Sequence, residues 1–166
     1  MASAQFALVR SSHPLDTIEQ LASLQEWTFD RSADDEINIT VEGTWAAYHV
    51  SFNWREDLEG LHVACAFDFK VPPARRPEIY RLVAIINEQL WLGHFDIWAQ
   101  EGVLMFRNCL LLAGGAEANA AQCESLLQFA VEACERYFPA IQFVIWAGKS
   151  AEAAVESALF ETVGHA

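Results

Sequence analysis

The sequence predicts an α+β domain in which an antiparallel β-sheet is packed by helices on one face. Three observations carry this. Residues 27–69 hold four short alternating runs separated only by tight turns, and strands joined that closely pair antiparallel because a parallel pair needs a long crossover. Apolar residues recur at helical spacing before, between and after the strands, so the helices are segregated from the meander rather than alternating with each strand. The chain of 166 residues is 53% hydrophobic, enough for one sizeable core and about one domain, taken as residues 1–166.

The first helix opens at Ser12-His13-Pro14, with Ser12 or His13 as N-cap and proline in the first turn. Leu15, Ile18, Leu21 and Ala22 form its buried stripe, Asp16 and Glu19 suit its positive end, and it ends near Gln25. Four strands follow: residues 27–31, 36–42 after a turn at Ala33-Asp34-Asp35, 45–55 after Gly43, and 60–69 after the loop 56–59. A hairpin closed on that four-residue loop sets Trp54 opposite Leu61, Phe52 opposite Val63, Val50 opposite Cys65 and Tyr48 opposite Phe67. All four apolar pairs share one face, as a half-buried hairpin requires. The opposite face reads Ala47, His49, Ser51 and Asn53 against His62, Ala64, Ala66 and Asp68, small and polar enough to meet water.

The central helix is expected over residues 77–92, with Pro77 in its first turn and Gly93 as its stop. Ile79, Leu82, Val83, Ile86 and Leu90 make one stripe, while Tyr80, Ile85, Trp91 and Leu92 lie off it. A helix that is apolar on more than one side wants burial on more than one side. Residues 94–100 read as a strand, Glu101-Gly102 as a tight turn, and residues 103–112 as a strand apolar on both faces. A helix over about 118–138 repeats Cys123, Leu126, Leu127, Ala130, Val131, Cys134, Tyr137 and Phe138. Pro139 breaks or kinks it, a short apolar helix covers 141–146, and Ser150 caps a last helix from Ala151 to about Phe160, after which residues 163–166 fray.

Charge and cysteine usage narrow the function. A formal charge of −13 and a pI near 4.6 argue against free nucleic acid as a partner, since phosphate binding needs a basic surface. No apolar run reaches the roughly 20 residues of a membrane span. The N-terminus, MASAQFALVRSSH, lacks a basic segment ahead of a long apolar one, so no secretory signal is expected and a cytoplasmic location is the default. Cys65, Cys109, Cys123 and Cys134 form no C-x-x-C pair and fall in apolar strand or helix patterns, so all four read as core thiols, with no metal or other cofactor implied.

No catalytic motif stands out. His49 and His62 are two residue pairs apart along the ladder, with no third ligand beside them. His94 and Asp96 share a strand face without a serine or cysteine to activate. The chain has no G-x-S-x-G, P-loop or G-x-G-x-x-G, and Gly114-Gly115 lacks the lysine of a phosphate loop. Lys70, Arg75, Arg76 and Arg81 are four of ten Lys and Arg residues within twelve positions. On so acidic a chain they form a candidate contact patch for an acidic partner segment, or a bridge to the chain's own carboxylates.

Read in order, these elements resemble the YbjN family of bacterial proteins, whose fold is similar to that of type III secretion chaperones. The residues that carry the resemblance are Tyr48-x-x-x-Phe52-x-Trp54, Val71-Pro72 before the central helix, Asn87 with Gly93-x-Phe95-x-Ile97, Arg107 within its strand, and Tyr137-Phe138-Pro139 before Trp146-Ala147-Gly148. The leading pair Arg75-Arg76 departs from the pattern. The resemblance implies a cytoplasmic, often dimeric, non-enzymatic protein of a family described in terms of sensory-transduction regulation.

The expectation is therefore a homodimeric, protein-binding regulator or chaperone-like adaptor with an unidentified protein partner. The sheet already has its helical layer, so Tyr80, Trp91, Leu92, Val103 and Met105 are left without a place inside. A contiguous remainder of that size exceeds what a monomer usually exposes, and a two-fold contact is the commonest way to bury it. The alternative is a small-molecule sensor whose apolar pocket is lined by some of Trp45, Trp54, Trp91 and Trp98.

Overall fold

The computed structural model describes residues 10–163, with side chains to Phe160. The expectation about a signal at the extreme N-terminus, and that of fraying over residues 164–166, lie outside the described residues.

Helix α1 (Pro14–Leu24) is capped by His13, whose Nδ1 accepts from the Leu15 N–H. Its buried residues Leu15, Ile18, Leu21 and Ala22 are those of the apolar stripe. The sheet consists of β1 (Thr28–Ala33), β2 (Glu36–Glu42), β3 (Ala47–Arg55), β4 (Gly60–Lys70), β5 (His94–Trp98) and β6 (Val103–Leu111). Its order is β1-β2-β3-β4-β6-β5, and every neighbouring pair is antiparallel. The loop length and the apolar alternation set the β3–β4 register as expected: Trp54 faces Leu61, Phe52 faces Val63, and Val50 faces Cys65. The Tyr48 and Phe67 rings meet edge to face, with centroids 5.8 Å apart.

All helices lie on one face of this sheet. Helix α3 (Ala120–Ile145) runs against β4 and β6, α1 against β1 to β3, and α2 (Arg76–Gln89) against β5, while α4 (Ala151–Val163) packs on α2 and α3. The inward side chains Tyr48, Val50, Phe52, Leu61, Val63, Cys65 and Phe106 are almost fully buried against them. Each such side chain contributes roughly 1.5–3 kcal/mol of transfer free energy. The fold is thus α+β with one half-covered antiparallel sheet, as the sequence predicts.

Three details differ from the sequence reading. Helix α3 is a single helix of 26 residues that continues past Pro139 without a break. A proline inside a helix costs about 3 kcal/mol, but breaking here would uncover Phe138, Ala140, Ile141, Val144 and Ile145, all buried on the continuing stripe. Helix α2 ends at Gln89, not at Leu92. The Asn87 side chain accepts from the Phe95 N–H at 2.8 Å and donates to the Phe95 carbonyl at 3.0 Å, which pulls the chain out of the helix toward β5. Finally, Cys109 is exposed, whereas Cys65, Cys123 and Cys134 are core thiols. It faces the sheet side that the helices leave bare. Burial pushes the Cys123 thiol up to about 11, well out of reach of thiolate chemistry at neutral pH.

Candidate interaction surface

At one end of the sheet β5 falls short of β6. Strand β5 begins at His94, which pairs with Arg107, and its ladder runs from there to Trp98 opposite Val103. Residues 108–111 of β6 pair with β4 but have no strand on their other side. The Leu112 N–H donates to Glu59 on the β4 side, so by alternation Cys109 and Leu111 turn their backbone groups toward the empty side. There the Cys109 N–H is taken up by the Asn108 side chain at 2.8 Å.

Gly93 sets how the chain leaves this edge. It has φ +69, and an added Cβ would lie 2.3 Å from the Phe106 ring and 2.6 Å from the Arg107 carbonyl oxygen. Only glycine fits so close an approach at positive φ. The connection from α2 to β5 is thereby clamped against β6, and residues 90–92 are pushed outward. Trp91 is 99% exposed, and Leu92 is half-exposed.

Between this connection, β6 and α3 lie two adjoining depressions. One, of ≈ 280 Å³, is lined by Leu90, Trp91, Leu92, Phe129, Ala133 and Tyr137 among others. The other, of ≈ 380 Å³, shares Leu92 and Phe129 and continues over Leu110 to Leu126. Leu111, 70% exposed, sits at the far end of the free edge. The result is a groove with an apolar middle, flanked by Gln89, Glu132 and Arg136 on one side and by Asn119, Gln122 and Ser125 on the other, with an edge lacking a partner strand along one wall.

The residues singled out from sequence separate into distinct places. Trp91 and Leu92 form the groove rim. Tyr80 is half-exposed on α2, and Val103 is half-buried at the start of β6 opposite Trp98. Met105 is expected among the exposed remainder, but it is 2% exposed, although the register places it in the outer-face row of Ala66 and Asp96. Phe129 of the groove and Leu111 at the outer side of the free edge are further exposed apolar residues that the sequence reading does not single out. The signal for them was the strand lengths: a strand of residues 103–112 outreaches a partner of residues 94–100.

The basic cluster is not one patch. Arg75 donates to the Val144 carbonyl at 2.8 Å and to the Lys149 carbonyl at 2.7 Å, so it neutralises the negative C-terminal end of α3. Arg76 donates to the Ala99 carbonyl at 2.5 Å. These two arginines, expected to meet either an acidic partner or the chain's own carboxylates, instead brace the chain's own backbone carbonyls. Arg81 stays exposed beside Glu78 at 3.8 Å, and Lys70 is exposed at the end of β4.

The tryptophans do not gather. Trp45 stacks on Phe138, Trp54 is buried beneath Arg10 with its Nε1 donating to Glu56 at 2.7 Å, Trp98 lies at the end of β5, and only Trp91 borders the groove. Among the described residues, no group of three or more His, Cys, Asp and Glu side chains is placed to hold a metal ion, and no helix is long and apolar enough to cross a membrane.

Fold and surface together define a small α+β domain built on one half-covered antiparallel sheet with an open, apolar end. The chain belongs to the YbjN family, whose model matches residues 14–143 and is described as "Putative bacterial sensory transduction regulator". Among solved structures it is similar to the crystal structure of YbjN from E. coli, "a putative transcription regulator", with a TM-score of 0.52 and 11% identity over 96% of each chain. At that identity the likeness shows the fold alone. A looser likeness, with a TM-score of 0.44 and 12% identity, covers 74% of this chain and 88% of a chain in the ExsC-ExsE complex. Comparison with curated proteins finds no match.

Proposed function

We propose that this YbjN-family chain is a non-enzymatic, cytoplasmic protein-binding regulator or adaptor that works as a homodimer. We further propose that the open end of the sheet is where it meets another polypeptide. The carrying observation is the free edge of β6 at residues 108–111, walled by Leu92, Leu110, Leu126 and Phe129. The Leu111 N–H and the Cys109 and Leu111 carbonyls lack a partner strand and suit an extended peptide, which would displace the Asn108 side chain from the Cys109 N–H, and the apolar side chains of the wall give that peptide pockets.

A second copy of the chain meets this requirement first. Antiparallel pairing of a strand with its own copy is two-fold symmetric, the arrangement of an isologous dimer. The exposed Trp91 and Leu92, with Phe129 and Leu111, would then be covered from both sides. Tyr80 and Val103 lie further off and contribute less, and the buried Met105 contributes nothing. A Trp-lined small-molecule pocket loses its support, because the four tryptophans sit in separate surroundings.

Sedimentation of the purified chain at micromolar concentration tests the reading. A dimer that Trp91→Asp converts to a folded monomer supports it. A wild-type monomer, or a dimer indifferent to substitutions along the groove, overturns it.

A further inference from the structure

The bare face of the sheet carries a separate constellation. Strand register sets His62 of β4 beside Cys109 of β6, and Arg107 of β6 between Ala64 and His94 of β5. The next row holds Ala66, Met105 and Asp96. Their strand neighbours Val63, Cys65 and Phe106 are buried under the helices, so His62, His94, Asp96, Arg107 and Cys109 all point the other way.

Arg107 is held at two of its three nitrogens. Its Nε donates to His62 Nε2 at 3.1 Å, and its Nη1 donates to Asp96 Oδ2 at 3.2 Å. A ring nitrogen that accepts a hydrogen bond carries no proton, so His62 is neutral here and bears its hydrogen on Nδ1 as a further donor. Burial, then the charge of Arg107 and then His94, hold the His62 pKa below its ordinary value. The Arg107 Nη2 hydrogens have no partner among the described residues. Beside them opens a cleft of ≈ 340 Å³ lined by His62, Gly93, His94, Arg107, Asn108 and Cys109. The guanidinium is a planar fork suited to two parallel bonds with a carboxylate, and Asp96 occupies one prong of it.

We propose that this cleft binds a singly charged carboxylate, which docks on the free Nη2 of the Arg107 guanidinium with His62 and His94 as additional donors. The single charge follows from the surroundings. Asp96 already balances Arg107, and a chain of net charge −13 repels a dianion such as phosphate more strongly. The cleft volume is that of a small-ligand site. A free organic acid and the glutamate of a peptide present the same group. The groups facing His62 are Arg107 and Cys109 on β6, His94 on β5, and Asn53 on β3 with Glu36 one strand beyond.

The test follows the histidine ring signals of the intact chain by NMR during a titration with sodium acetate, with sodium chloride holding ionic strength constant. The His62 and His94 signals are expected to move along one saturable curve. Acetate should also raise the pH at which His62 titrates, because a nearby anion favours the imidazolium. Arg107→Gln should abolish saturation. Asp96→Asn, which keeps the Oδ1 that accepts from the Ile97 N–H, should tighten acetate binding several-fold by removing the competing charge. Propionate and a blocked peptide with one glutamate then separate the two sources by which binds tighter. A linear, non-saturating drift, an unchanged curve in Arg107→Gln, or weaker binding in Asp96→Asn overturns the proposal.

Discussion

The sheet has two ends, and they are finished in opposite ways. At one end β1 carries Asp30 and Arg31, and its ladder to β2 slips register between Asp30 and Ala33. Arg31 is tied to Asp16 at 3.1 Å and Glu19 at 2.8 Å on α1, and also to the carbonyls of Ala33 and Asp34. A charged, irregular, tethered strand is how a sheet keeps strangers from pairing with its edge. At the other end β5 stops short, and β6 runs on past it with Leu110 beside Leu92 and Phe129 and Leu111 exposed. The charges that line the depression there, Glu132 and Arg136, come from α3 and not from the strand. The contrast teaches that this fold guards one edge and leaves the other open, and the proposed interaction rests on that difference.

The largest effect is expected where the open end is clamped. Gly93→Ala adds a Cβ that meets the Phe106 ring and the Arg107 carbonyl at positive φ. Crowding and backbone strain together should cost about 2–4 kcal/mol, read as a lower urea midpoint with unchanged slope. Unaltered stability would mean that the connection is not held against β6.

A smaller effect sharpens the split within the basic cluster. Arg75→Ala leaves the Val144 and Lys149 carbonyls without their charged donor and should cost about 2 kcal/mol. Arg81→Ala, exposed beside Glu78, should stay within about 0.5 kcal/mol. Equal costs would contradict the assignment of Arg75 as a brace and Arg81 as a free surface cation.

Smaller still is a pH effect from the bare face. His62 has a lowered pKa in the fold, so at pH values between its folded pKa and the unfolded value of about 6.5 the unfolded chain binds more protons. Its contribution to stability is complete above about pH 6.5, falls as the pH drops toward the folded pKa, and is flat below that. Unfolding midpoints of His62→Gln should therefore show a shallower slope than wild type in that window. A slope identical in both would remove His62 as its cause.

Much of the fold was legible because local rules dominate it. The β3–β4 register follows from a four-residue loop and an apolar face that a one-residue slip would expose. His13-Pro14 and Ser150 are start signals that act within three residues. What was not legible is non-local. Arg75 looked ill-placed at the start of its own helix because the carbonyls it serves lie 69 and 74 residues away. Pro139 reads as a break until the buried stripe on both sides of it is seen to face one continuous surface. Trp91 and Leu92 looked like a second helix face, whereas the Asn87 bonds to Phe95 had already ended the helix. The open edge was hidden because β6 pairs with β4 across 33 or more residues of sequence, leaving short β5 on the outside. Even so, Trp91 and Leu92 were picked out as apolar residues with no place to go, and they sit on its rim.

The most direct test of the account is sedimentation of the wild-type chain beside Trp91→Asp and Leu111→Asp, with their urea midpoints measured in parallel. The account predicts a dimer for the wild type, and for both variants a monomer whose stability changes by no more than about 0.5 kcal/mol, as expected for exposed positions. A monomeric wild type, or a dimer that survives a charge at both positions, would contradict it.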